Sequence, residues 1–174
     1  MSVVCCRIYP DSIEIASDSI IVTGWTQSKS NNDYSKLIQV NGMTIGSVGV
    51  CSESSMFQIF CKTHRPKEAD ADSMLDFLSE FLDWKKKKTD SYELTNQYII
   101  VYKSKAFLAY GFFVDEIKTY EAIGAGMDYA LASLYLGNTV DKSVQVACEL
   151  SVYCEMPVKK FVVKMGNANE RNSN

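Results

Sequence analysis

The stretch Ser2-Val-Val-Cys-Cys-Arg-Ile-Tyr-Pro-Asp-Ser-Ile-Glu-Ile-Ala-Ser-Asp18 decides how the rest of the chain is read. Val3, Val4, Cys5 and Cys6 run directly into a β-type segment. The turn residues Pro10-Asp11-Ser12 follow, and Ile13, Ile15 and Ala16 then alternate with Glu14 and Ser17. This predicts a β-hairpin at the N-terminus, with no leader before it. Removal of Met1 leaves the Ser2 hydroxyl beside the chain terminus. Asp18 ends the alternation, and Lys36 opens another strand further on, so a hydroxyl, a carboxylate and an ammonium are available to converge. A Ser after Met, one Asp and one Lys occur in many chains, so these three take their meaning from what surrounds them. Cys5 and Cys6 face opposite sides of the first strand, which makes them buried residues rather than nucleophiles exposed by further cleavage.

Working outward, Lys36–Val40 and Met43–Val50 read as a second hairpin, joined by the turn dipeptide Asn41-Gly42. From Ser54 the pattern becomes helical, with Met56, Phe57 and Phe60 on one side, and it stops before Pro66. A longer helix capped by Asp72 or Ser73 follows. It has Leu75, Leu78 and Leu82 on one face, Phe77, Phe81 and Trp84 beside them, and Lys85 to Lys88 at its end, a lysine run that suits a helix terminus and its dipole. Gln97–Tyr102 and Ala106–Tyr110 are expected strands across the turn Lys103-Ser104-Lys105, with a short strand at Lys118–Ile123. Gly124 and Gly126 interrupt the pattern. Met127–Leu136 is a helix ended by Gly137-Asn138, and Thr139 caps a second one running to about Tyr153. Pro157 precedes a last strand, Val158–Lys164, and residues 166–174 form a polar tail expected to be disordered.

The order is strands, two helices, strands, two helices, strand. It predicts an α+β protein, a four-layer αββα sandwich of two antiparallel sheets between two helical layers, with residues 1–165 as a single domain. With 174 residues, 47% of them hydrophobic, the chain can bury a full core without metal or disulfides. A net charge of −3 argues against a protein that coats nucleic acid or anionic membrane. Arg7, Asp11, Glu14 and Asp18 interrupt any signal-peptide pattern, and no apolar run is long enough to span a bilayer, so a cytoplasmic location is expected. Cys5, Cys6, Cys51, Cys61, Cys148 and Cys154 form no C-x-x-C pair, and His64 is the sole histidine, so no zinc site is expected and the thiols read as reduced and mostly buried.

Ile123-Gly-Ala-Gly-Met-Asp-Tyr-Ala-Leu-Ala-Ser-Leu-Tyr-Leu-Gly137 closely resembles the glycine-rich strand-to-helix junction of proteasome β-subunits and of the bacterial heat-shock-locus peptidase. Ile15-Ala-Ser-Asp18 resembles that family's second strand with its active-site Asp. Gly46-Ser-Val-Gly49 with Glu53 is similar to its glycine turn into the first helix, and Val146-Ala-Cys-Glu-Leu150 with Val152-Tyr-Cys154 to its late helix. Residues 2 to about 164 align with the family, so the resemblance covers nearly the whole chain.

The resemblance implies an N-terminal nucleophile hydrolase, a proteasome-like peptidase of the threonine type in which the nucleophile here is Ser2. A hydroxyl is activated by the adjacent α-amine, which titrates at about 7.7–8 in model peptides, within the range a general base needs. By resemblance, Lys36 favours the neutral amine, Asp18 holds Lys36, and Gly49 lends a backbone N–H to the oxyanion. No cofactor is implied. The implied partners are a peptide or unfolded-protein substrate, further copies in a homo-oligomeric ring, and an ATPase ring. Trp25, Phe112 and Phe113 are then either contact residues or ordinary core. The supporting positions depart from the family: Ala125 stands where many active relatives have a serine that positions the amine, and Ser151 where they often have an Asp. Glu155-Met156 replace small glycines. These departures keep two alternatives in view, a catalytically inactive structural subunit of a ring and an amidase acting on small amides.

Overall fold

The computed structural model describes residues 2–28 and 35–165. The expected tail 166–174 and Met1 lie outside the described residues. Two antiparallel sheets dominate. The first has the order β10-β1-β2-β11, formed by β1 (Val4–Ile8), β2 (Ser12–Ser17), β10 (Tyr120–Ile123) and β11 (Lys159–Lys164). The second is β5 (Leu37–Val40), β6 (Met43–Val48), β7 (Gln97–Tyr102), β8 (Lys105–Tyr110) and β9 (Phe113–Ile117), paired in sequence order. A small ribbon, β3 (Val22–Thr23) with β4 (Thr26–Gln27), projects between them in sequence. The helices are α1 (Cys51–Cys61), α2 (Ala71–Thr89), α3 (Met127–Tyr135) and α4 (Val140–Leu150).

Side-chain alternation sorts the core into three slabs. Val4, Cys6, Ile13 and Ile15 of the first sheet meet Leu37, Val48, Ile99 and Val101 of the second. The opposite-facing residues Val3, Cys5 and Ala16 pack on Ala130, Leu134, Val144 and Ala147 of α3 and α4. On the far side, Ile45, Tyr98 and Ile100 pack against Phe57, Phe60, Phe77 and Phe81 of α1 and α2. The rings there are close, with centroids 4.8 Å apart for Phe57–Phe81 and 4.4 Å for Phe57–Tyr98. Fully burying each such ring contributes about 1.5–3 kcal/mol. The result is the expected order of helix layer, sheet, sheet, helix layer.

The boundaries differ from the sequence reading where tertiary contacts override local pattern. Helix α1 begins at Cys51 rather than Ser54, and α2 is capped by Asp70, whose Oδ1 accepts the Ser73 N–H at 2.7 Å, rather than by Asp72 or Ser73. Helix α4 is capped by Thr139, as expected, but ends at Leu150. Strand β9 was not anticipated. Its Asp115 and Glu116 mask the pattern because it is the outer strand of the sheet, paired on one side only. Lys85 is also not a solvated helix end: it is buried against Glu53. Trp25, Phe112 and Phe113 are exposed, so core packing does not explain them. Cys5, Cys6, Cys61 and Cys154 are buried, whereas Cys51 is exposed. Burial pushes the Cys6 thiol up to about 12, which leaves it inert near neutral pH.

Candidate active site

The first strand reaches the site through its start. Asp18 follows the last residue of β2, and the register Val4↔Ser17 sets it beside the backbone of residues 2 and 3. Its N–H donates to the Val3 carbonyl at 3.2 Å, and its Oδ1 accepts the Val3 N–H at 2.9 Å. Oδ2 accepts the N–H groups of Ile20 at 3.0 Å and Glu155 at 3.3 Å. A carboxylate only 1% exposed is thereby surrounded by three backbone donors, which offset the cost of its burial.

Lys36, just before β5, completes the arrangement. Its Nζ lies 3.1 Å from Asp18 Oδ1 and donates to the Ile20 carbonyl at 2.6 Å. Burial lowers the Lys36 pKa below its ordinary value, and the Asp18 charge works against that fall. Burial raises the neighbouring Cys154 thiol to about 11, with the Asp18 charge adding to the effect.

Ser2 is 4% exposed, and its carbonyl accepts the Gly126 N–H at 3.1 Å. Gly124, at φ +93°, lies directly against that carbonyl, and a Cβ there would come within 2.5 Å of the Ser2 oxygen. The glycine-rich junction after β10 therefore holds the start of the chain through close backbone contact. Ser2, Lys36 and Gly49 line one small cleft of about 120 Å³, together with Ser47, Cys51 and Ser54. Gly49 occupies the turn between β6 and α1 at φ +132°, a conformation open to glycine and strained for other residues.

A second, wider cleft of about 910 Å³ adjoins the first, with Ile20 and Val22 in both walls. Ala125, Trp25, Tyr153 and Glu155 also line it. The four expected site residues Ser2, Asp18, Lys36 and Gly49 are thus brought together. Ala125 lies next to them with only a methyl group. Ser151 lines neither cleft, and its hydroxyl accepts the Tyr153 N–H at 3.2 Å. Two residues of the site were not named as such from sequence: Asn96 had no signal, and Glu155 stood out only as a departure from the family's small glycines. Glu155 bonds Asp18 through its backbone and accepts from Gln27 Nε2 at 2.9 Å through its carboxylate, and Asn96 packs on Gly49 from the start of β7. Both act across large sequence separations.

Three solved structures superpose on nearly the whole chain. One is the BPH protein of Thiobacillus denitrificans in complex with epoxomicin, with TM-score 0.82 and 18% identity over 94% of this chain and 98% of that one. Another is HslV of Trypanosoma brucei, with TM-score 0.67 and 16% identity over 93% and 99% of the two chains. The third is Anbu, the ancestral beta-subunit of Yersinia bercovieri, with TM-score 0.69 and 14% identity over 93% and 81%. The chain has the N-terminal nucleophile hydrolase fold. At these identities the likeness establishes the fold and leaves the chemistry to the residues. No family model and no curated protein matches the sequence.

Proposed function

We propose that the chain is one proteasome-like domain, residues 1–165, acting as an N-terminal nucleophile peptidase subunit with Ser2 as the nucleophile after loss of Met1. The observation carrying this reading is that Ser2, Lys36 and Gly49 line one cleft while Asp18 holds Lys36 at 3.1 Å. In this reading the Ser2 α-amine takes the hydroxyl proton as Oγ attacks a peptide carbonyl. The buried Lys36 cation favours the unprotonated amine, and Asp18 keeps that cation in place. The Gly49 N–H stabilises the oxyanion. Collapse of the tetrahedral intermediate passes the proton to the leaving amine and gives an acyl-enzyme. Water, activated by the same amine, then releases the product.

The substrates are peptides or unfolded proteins, reached through the wider cleft. The partners are further copies of the chain in a ring, with an ATPase ring as the source of unfolded substrate. The exposed Trp25, Phe112 and Phe113 are available for such contacts. The proposed location is cytoplasmic, and among the described residues no helix is long and apolar enough to cross a membrane. Ala125 favours a second reading, an inactive structural subunit, because its methyl group supplies no hydrogen bond to the terminal amine. A fluorogenic peptide assay on the wild type and Ser2→Ala separates the two. Hydrolysis abolished by the substitution in an intact assembly supports the peptidase, and turnover equal in both removes Ser2 from the mechanism.

A further inference from the structure

The turn that carries Gly49 is held by a side chain from the entry to the adjacent strand, where Gln97 pairs with Val48. Asn96 is 1% exposed and lies immediately before β7. Its Oδ1 accepts the Val50 N–H at 2.6 Å, and its Nδ2 donates to the Val50 carbonyl at 3.0 Å and to Ser54 Oγ at 2.9 Å. One side-chain amide thus binds both polar groups of Val50, as a neighbouring strand would. It also packs against Gly49 so closely that a Cβ there would fall 2.1 Å from Asn96 Oδ1. The peptide between Gly49 and Val50 is therefore fixed by Asn96.

Asn96 is itself anchored by charge. Its N–H donates to Glu53 Oε1 at 2.9 Å, and Thr95 gives Glu53 a backbone and a hydroxyl bond. Tyr98 Oη donates to Oε1 at 3.1 Å, while Lys85 Nζ sits 2.5 Å from Oε2. Lys85 also donates to the Glu93 carbonyl at 2.6 Å. A buried ion pair between α1 and α2 therefore clamps residues 93–96, and that segment clamps the turn. Buried, fully bonded networks of this kind fix one geometry against alternatives.

We propose that Asn96 is a positioning residue for the oxyanion-binding turn, with the Glu53–Lys85 pair as its anchor. The inference rests on the peptidase reading for its kinetic consequence, but its structural half stands apart from that reading. Losing one oxyanion donor costs about 10²–10³ in rate, and misplacing a reacting group about 10². The expected effect of Asn96→Ala is a fall of about 10²-fold in the rate constant for inactivation of Ser2 by a peptide epoxyketone. The inhibitor's binding constant should stay near that of the wild type. The pH dependence of inactivation should not move, because the α-amine and Lys36 are untouched. Asn96→Ser, which keeps a small polar side chain but cannot bond both polar groups of Val50, should act in the same direction and serves where Asn96→Ala does not fold.

Amide hydrogen exchange on the same proteins gives a readout independent of activity. Selective loss of protection at residues 49–51, with the sheet amides unchanged, supports the proposal. Unchanged protection there overturns it, as does an unchanged inactivation rate in a variant whose turn has loosened. A wild type that never reacts with the epoxyketone counts against the peptidase reading alone, and the exchange data then still decide whether Asn96 positions the turn.

Discussion

Breaking the Glu53–Lys85 pair from its two sides should cost different amounts. Glu53 is 3% exposed and Lys85 6%, so neither charge is relieved by water. Removing one partner of a buried pair typically costs about 3–5 kcal/mol, because the other charge is left uncompensated. Glu53→Gln leaves the buried Lys85 ammonium without a counter-charge, and whichever way the amide is set its NH₂ faces a group that is itself a donor. It should fall at the upper end, about 4–5 kcal/mol.

Lys85→Met leaves the carboxylate with the donors of Thr95, Asn96 and Tyr98. The loss is then closer to one charged hydrogen bond, about 1.5–3 kcal/mol. Against a total stability of about 5–15 kcal/mol, both are measurable by urea unfolding followed by circular dichroism, with the m-value unchanged. The double variant should cost less than the sum of the single ones by about 1–3 kcal/mol.

The effect has a pH signature. Burial pushes the Glu53 carboxyl up, but bonds from Lys85, Asn96 and Thr95 outweigh it and hold the pKa below its ordinary 4.5. A depressed carboxyl pKa stabilises the fold fully above the unfolded value and loses that contribution as pH falls through the folded one. The gap between wild type and Glu53→Gln should therefore shrink below about pH 4.5. Lys85→Met costing as much as Glu53→Gln, or a gap that is flat with pH, would refute the reasoning.

Two further perturbations probe the proposed chemistry. Lys36→Met removes the cation that favours the neutral amine, so the acid limb of kcat/KM should move to higher pH while the rate falls; a pH-rate profile with an unmoved limb contradicts that role for Lys36. Gly124→Ala brings a methyl group to 2.5 Å from the Ser2 carbonyl at φ +93°, so it should cost about 1–3 kcal/mol of stability and about 10²-fold in peptide hydrolysis. Activity within threefold of wild type, set beside urea unfolding, would show that Ser2 does not depend on that contact.

What the sequence made legible is what local chemistry encodes. The opening hairpin follows from strict alternation around Pro10-Asp11-Ser12, and the α4 start from Thr139. Asp18, Lys36 and Gly49 could be named because a resemblance supplied their order, and the fold then brings them to one place. The β3–β4 ribbon was not legible, since two residues per strand give no period to read. Strand β9 hid behind its charges. Asn96 is a polar residue in an unremarkable stretch and Glu155 reads only as a replacement of a small glycine, because their roles arise from bonds spanning 46 and 137 positions. Lys85 looked like part of a solvated run because nothing local distinguishes it from Lys86, Lys87 and Lys88. Only the packing of α1 on α2 turns it towards Glu53.

The central claim is that Ser2 and its own amine form a working pair. The intact mass of the purified, untagged protein, measured before and after exposure to a peptide epoxyketone, tests it most directly, since that reagent requires both a terminal hydroxyl and a free α-amine. The account predicts a mass lacking Met1 and a covalent adduct that maps to Ser2. A retained Met1 with no adduct would contradict it and leave the chain as a structural subunit on a peptidase fold.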